Sequence, residues 1–259
     1  MRRGRRRVLV GACTALVLLA FWTVSTSFTS FISSGRFPSP TQVWEAGRQI
    51  AVEGYADAML WQHALHSLRL VAMGFAVAVT IGAPLGILMG ASRRFEAFIN
   101  PVFSLIRPIP PLAWIPLAIL WLGLGDGAKI MVIFFAAFVP SVINSHAGVR
   151  AIEPQLLEAS QVLGTRGFRH IREVLVPGAM PMIFTGLRLS LQASWTTLVA
   201  AELVGALAGL GRVLNLAQQD IYPAMILVAM AAVAMLGWAT TRCLDMIESR
   251  AMPWLPART

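Results

Sequence analysis

Long apolar runs, separated by short gaps that hold most of the charge, organise this chain of 259 residues. The first run, Val8 to about Phe28, follows five arginines packed at the start: Arg2, Arg3, Arg5, Arg6 and Arg7. A helix of that length crosses the roughly 30 Å hydrocarbon core of a bilayer. Further runs cover about His63–Ala91, Phe103–Leu122, Ala128–Ala147, Ala179–Leu203 and Ala224–Leu244. The third is broken by Pro108, Pro110, Pro111 and Pro116, each lacking a backbone donor. After Pro38 and Pro40, Thr41–Tyr55 predicts a short amphipathic helix with Val43, Trp44, Gly47, Ile50 and Ala51 on one side. It is too short and too charged to span. The pattern predicts an all-α polytopic membrane protein with six transmembrane helices and both termini on one face.

Composition narrows the function classes. The chain is 57% hydrophobic and 13% charged, with a mean hydropathy of +0.69. A soluble domain carries about 25% charged residues, so an ordinary cytosolic enzyme is excluded. Disorder is excluded too, because it needs low hydrophobicity. The two cysteines, Cys13 and Cys243, cannot build a disulfide scaffold, and their apolar surroundings predict buried packing.

The net charge of +9 suggests nucleic acid until its placement is considered. Fourteen basic residues fall on the amino-terminal side of the six-span topology and four on the other, where Lys129 is the sole lysine. Arg69, Arg107 and Arg188 fall inside spans. That bias is a topology determinant placing both termini in the cytoplasm, and no nucleic-acid partner is expected. The arginine-rich start also fits a secretory signal, but Ser25–Ser34 shows no clear A-x-A site, which favours an uncleaved first helix.

The longest cytoplasmic gap, Gly148–Gly178, does not read as a slack linker. Pro154 suits a first helical turn, with Glu153 beside the positive end of the helix dipole. Ile152, Leu156, Leu157, Val162 and Leu163 form an apolar stripe, and Gly164 can end the helix in a left-handed conformation. A second short helix is expected near Phe168–Leu175, stopped by Pro177 and Gly178. Two short helices meeting at a glycine make a docking knob or an interfacial loop lying on the headgroups.

Within this gap Glu158-Ala159-Ser160, three residues, Gly164, nine residues and Val174-Leu175-Val176-Pro177 follow one another. This resembles the loop signature E-A-A-x(3)-G-x(9)-I-x-L-P of ABC importer permeases, with Ser160 in place of an alanine and valines in place of larger aliphatics. Met59–His63, Arg107–Leu117 (RPIPPLAWIPL), Gly123–Lys129 (GLGDGAK), Leu187–Leu203 (LRLSLQASWTTLVAAEL) and Gly209–Gly211 are similar to permeases of the taurine, alkanesulfonate and nitrate importers. The resemblance covers about residues 40–254. It implies a type I ABC importer permease fold in the inner membrane, with Glu158, Ala159, Ser160, Gly164 and Pro177 coupling the chain to an ATPase. The implied partners are a second permease copy (a homodimer), two ATPase subunits, a periplasmic or lipid-anchored substrate-binding protein, and membrane lipid. Three regions follow: 1–62, the first transmembrane helix and a periplasmic amphipathic segment; 63–246, the permease core; and 247–259, a cytoplasmic tail.

ATP and its magnesium are expected on the partner ATPase, not on this chain. There is no G-x-x-x-x-G-K-[ST] loop, and Gly123–Lys129 echoes one only superficially on the outer face. No metal-ligand spacing links His63, His66, His146 and His170, and no G-x-S-x-G elbow is present, so no catalytic, metal or cofactor residues are assigned.

An arginine within the bilayer must face protein or water. Arg107 with Trp114 is therefore a candidate anion path, with structural pairing or snorkelling of Arg107 as the alternative. Arg188 invites the same two readings, with structural pairing favoured. Ser194, Trp195, Thr196 and Thr197 are candidate pore-lining groups or ordinary helix-packing residues. Asp126, Lys129 and Asp220 are candidate contacts for the binding protein, and Glu202 is expected to pair with Arg69 or meet that protein. The sequence thus points to the pore-forming subunit of an ATP-driven importer for a small organic anion, taurine or another sulfonate favoured over nitrate and aromatic carboxylates. A stand-alone secondary transporter or channel is the competing class, and a membrane-embedded enzyme the third.

Overall fold

The computed structural model describes residues 2–28 and 37–254, which are almost entirely helical. Arg36, Arg258 and residues 29–34 of the signal-peptide argument lie outside the described residues. The helices are α1 (Arg2–Thr23), α2 (Pro40–Val52), α3 (Leu60–Ala91), α4 (Arg93–Ile106), α5 (Ile115–Leu122) and α6 (Asp126–Arg150). They continue as α7 (Pro154–Val162), α8 (Gly167–His170), α9 (Val176–Gly205), α10 (Leu210–Gln219) and α11 (Pro223–Ala251).

Among the described residues, four helical segments are long and apolar enough to cross a membrane: Leu60–Ala91, Asp126–Arg150, Gly167–Gly205 and Pro223–Ala251. The pair Arg93–Ile106 and Pro111–Leu122, bent by 80°, makes a fifth if counted as one broken span. The bend falls at Arg107–Pro110, where the prolines were expected to break the run. The remaining expected crossing is α1, whose apolar stretch among the described residues, Leu16–Thr26, is shorter.

Small residues set the packing of the centre. Gly74, Ala78, Gly82, Gly86 and Gly90 recur every fourth position on α3, a continuous ridge along one side of the helix. A Cβ built on Gly82 would lie 3.1 Å from the Ser141 Cβ of α6, and one on Gly90 would lie 2.6 Å from the Val149 Cβ. The two backbones are this close because nothing but hydrogen stands between them, which is how helices associate where apolar burial gives no advantage over lipid. Gly148 of α6 lies equally close to α9, where an added Cβ would sit 2.8 Å from that of Met182. Helix α6 is thus sandwiched between α3 and α9.

At the end of the bundle where α3 begins, α2, α10 and α11 enclose a separate apolar cluster around Ile50, Val213 and Met225. Helix α2 starts on a capping box: Ser39 N–H donates to Gln42 Oε1 at 2.9 Å, and the Ser39 hydroxyl accepts from Gln42 N at 3.4 Å. Its buried stripe is Ala46 and Ile50 with Val43 and Gly47 half-buried, whereas Trp44 and Ala51, expected on that side, are exposed. The buried set follows the i, i+3, i+4, i+7 face that meets α11.

Two other expectations are corrected. Pro177 does not stop a short helix. A π-helical turn at Ile171–Leu175 joins α8 to α9, so one helical path runs from Gly167 to Gly205 and Pro177 lies near the start of α9. The wider turn re-registers the hydrogen bonds where proline has no N–H. Cys13 and Cys243 are exposed rather than buried; on a spanning helix an apolar exterior is solvated by lipid, so apolar surroundings in sequence do not imply interior packing. The positions 62/63 and 246/247 lie within α3 and α11, and Met252 is buried in the central core.

Candidate functional site

Helix α6 ends at Arg150, and the chain turns through Ala151–Glu153 into α7. Pro154 occupies its first turn as expected. The far end closes as a Schellman motif: Gly164 N donates to Gln161 O at 3.0 Å and Thr165 N to Ser160 O at 3.1 Å, with Gly164 at φ +82°. The Ser160 hydroxyl is buried, donates to Leu157 O at 2.7 Å and lies 3.2 Å from His170 Nδ1. This contact ties α7 to the start of the long helix and leaves Ser160 on the buried inner face of the arm.

The outer face of the arm is different. Glu158, Ala159 and Gly164 are exposed, and so are Leu156 and Phe168; Val162 and Leu163 are 88% and 83% exposed. Glu158 has no ion pair among the described residues. The arm thus exposes a carboxylate together with large aliphatic and aromatic side chains. Pro177, the last residue of the loop signature, is half-buried in the helical shaft behind this arm.

The candidate path residues separate. Arg107 caps α4 at the 80° bend and is exposed, without an acidic partner among the described residues. Trp114 is half-buried and stacked on Phe135 of α6, with ring centroids 4.1 Å apart. On α9, Ser194, Trp195 and Thr197 are buried in the chain's own packing. Ser194 donates to Ser190 O at 2.8 Å, and Trp195 Nε1 donates to Thr240 Oγ1 at 3.0 Å. The chain's own helices bury these three, and Thr196 alone of the four is exposed. Arg188 is paired, donating through Nε to Asp245 Oδ1 at 3.0 Å and contacting Glu248, both on α11.

At the end of the bundle where α3 and α6 begin, Lys129 is buried and its Nζ lies 3.3 Å from Asp126 Oδ1. Asp126 is half-exposed and also faces His66 Nε2 at 3.3 Å. Exposed Asp220 accepts from the Tyr55 hydroxyl at 2.5 Å. Burial, then this hydrogen bond and the neighbouring charge, push the Tyr55 phenol above its ordinary value.

Sequence reasoning missed a buried polar cluster beside this region. Glu202 is fully buried and meets neither Arg69 nor solvent. Its carboxylate accepts from Ser67 Oγ at 2.8 Å and from Gly211 N at 2.7 Å. Ser67 Oγ accepts in turn from Leu210 N at 2.9 Å, and Gly209 N donates to His63 Nδ1 at 3.1 Å. The His63 ring therefore carries its proton on Nε2, which donates to Tyr55 O at 3.0 Å. Three successive N–H groups at the start of α10 are thereby satisfied by side chains of α3 and α9. Gly209 is held at φ +116°, and a Cβ there would overlap the Glu202 carboxylate. The available signal was a carboxylate inside an apolar run a few residues before Gly209–Gly211.

The family of binding-protein-dependent transport system inner membrane components matches residues 82–251. The chain belongs to this family. It is an ABC importer permease subunit and a multi-pass inner-membrane protein. It is 38% identical to the taurine transport system permease protein TauC of Escherichia coli (strain K12), over 96% of this chain and 90% of that protein. Identity is 31% to the putative aliphatic sulfonates transport permease protein SsuC of Bacillus subtilis (strain 168), over 97% and 90% of the two chains. It is 32% to the nitrate import permease protein NrtB of Synechocystis sp., over 95% and 90%. The fold is that of the type I importer permeases: a permease chain from inward-facing MetNI methionine ABC transporter structures matches with a TM-score of 0.61 at 20% identity, over 73% of this chain and 95% of that one.

Proposed function

We propose that this permease forms the membrane pore of an importer for a small organic anion, a sulfonate such as taurine, with α7 as the element that seats in a separate ATPase subunit. The observation that carries the coupling role is the exposed arm itself: Glu158 stands among exposed Leu156, Val162 and Leu163, while Ser160 and His170 brace the arm from behind. A carboxylate desolvated in such a contact pairs best with an arginine of the partner. Two such permeases would engage two ATPases and one substrate-binding protein, with the arginine-rich face and both termini in the cytoplasm. ATP and magnesium would be held by the ATPase chains. In alternating access, closure of the ATPases would move the two arms, and the shafts rising from Gly167 would carry that motion into the spans.

The sulfonate reading rests on similarity to the taurine and sulfonate relatives, and similarity to the nitrate relative over nearly the same length supports nitrate as a second reading. Reconstitution with the cognate ATPase and binding protein tests both levels. Taurine-stimulated hydrolysis and uptake are expected in the wild type, and neither in Glu158→Ala. Uptake driven by an ion gradient in the permease alone would replace this reading with a secondary transporter. Stimulation by nitrate and not by sulfonates would replace the substrate.

A further inference from the structure

We propose that the cavity behind α7 is a binding site for an anionic glycerophospholipid, whose headgroup and upper acyl chain join the coupling arm to the ends of the spans. The cavity encloses about 790 Å³. Its walls come from four places: the end of α3 with the start of α4, the end of α6, the inner side of α7, and the start of the long helix at Gly167–Leu175. A ligand there touches the arm and three membrane-anchored segments at once.

The lining is chemically two-sided. Arg93, Arg150 and His170 supply the ionisable groups, and no lining residue carries a carboxylate. Arg150 is engaged by Glu96 from outside the lining, and His170 turns Nδ1 toward Ser160, which leaves Nε2 unassigned. Arg93 is exposed and has no acidic partner among the described residues. Apart from the polar Ser92 and Gln161, the remaining surface is apolar, including Leu88, Phe95, Val149 and Leu175. A small soluble anion would answer the guanidinium and leave the apolar wall wet. A phospholipid answers both, its phosphate on Arg93 and its acyl chain on the wall. The cavity also opens where α3 and α6 end, the level at which headgroups lie, and basic pockets between spans on the cytoplasmic side suit anionic lipid. The inference rests on the cytoplasmic placement of this face but not on α7 engaging an ATPase.

Native mass spectrometry of the purified full-length permease, exchanged from phosphatidylglycerol or phosphatidylcholine, tests it. Wild type should retain phosphatidylglycerol in preference to phosphatidylcholine. Arg93→Gln should lower that retention about fivefold, the weight of one basic side chain near an anionic headgroup, and Arg93→Lys should restore much of it. Ala91→Trp, which fills part of the lining without removing charge, should also displace the lipid. Equal retention of the two lipids, unchanged retention in Arg93→Gln, or displacement by soluble glycerol phosphate as effectively as by phosphatidylglycerol would each overturn the proposal. Because retention is read without partners, failure of Glu158 to couple ATPase activity would leave this result unaffected.

Discussion

The arm at α7 and the cluster around Glu202 each place a glutamate near a glycine-bearing turn, yet their surroundings are opposite. Glu158 is exposed, without an ion pair among the described residues, and bordered by exposed leucine and valine side chains. Glu202 is fully buried and accepts from Ser67 and Gly211, so its bonding is completed within the chain. A carboxylate whose partners are internal is spent on holding the fold; one standing in an apolar exposed ring has its partner still to come. The same contrast separates the two glycines. Gly164 takes a left-handed conformation with open space around it, whereas Gly209 does so against the Glu202 carboxylate. One is required by backbone conformation alone, the other by conformation and close approach together.

Substitution of the buried carboxylate should perturb folding most. Glu202→Ala leaves the Gly211 N–H and the Ser67 hydroxyl buried without their acceptor, at about 3 kcal/mol or more. Thermal unfolding of the purified permease should show a clearly lowered midpoint, with Glu202→Gln recovering part of it because the amide oxygen still accepts. A wild-type midpoint in Glu202→Ala would mean the cluster does not hold α10. Arg188→Ala comes next: it sets Asp245 and Glu248 side by side without their cation. About 1–2 kcal/mol is expected, discounted because a quarter of the Arg188 side chain is exposed. Double-mutant cycles with Asp245→Asn should return a coupling energy of the same order, and none if the pair is idle.

Gly164→Val should cost about 1–2 kcal/mol locally, from forcing a β-branched residue to positive φ. It should also misdirect α7, so ATPase association falls in pull-down assays while membrane insertion is unchanged. Glu158→Ala should have the smallest effect on folding, within about 0.5 kcal/mol, since it removes an exposed side chain. Its loss should appear instead as a tenfold or greater drop in coupled hydrolysis, the usual penalty for truncating one member of a desolvated interfacial charge pair. If Glu158→Ala were to destabilise the isolated permease as much as Glu202→Ala, the division between internal and external carboxylates would collapse.

Local punctuation was readable without any structure. The start of α7 at Pro154, its left-handed end at Gly164 and the break around Pro108–Pro111 are each dictated by what one residue type does to its own backbone. The apolar runs likewise located the four long spans and the broken fifth, because crossing a bilayer sets a minimum length whatever the partners. Pro177 was misread for the same reason: its local rule forbids an ordinary turn, and a π-helical turn is the exception that lets the helix continue.

What tertiary structure alone decided is which face of each helix meets protein. Ser194, Trp195, Thr196 and Thr197 are equivalent in sequence as polar groups in an apolar run, but the rotation of α9 against α6 and α11 buries three and exposes one. In a soluble protein, hydrophobic periodicity would have revealed that rotation; in lipid both the inward and outward faces are apolar, so the periodicity is erased. The partners of Glu202 were hidden by a related cause: Ser67 stands 135 residues away, and no local rule connects positions that meet only after α3 and α9 have packed. Chain chemistry therefore determined the spans, their ends and the arm, and helix packing determined which polar groups are internal supports and which remain available to a partner.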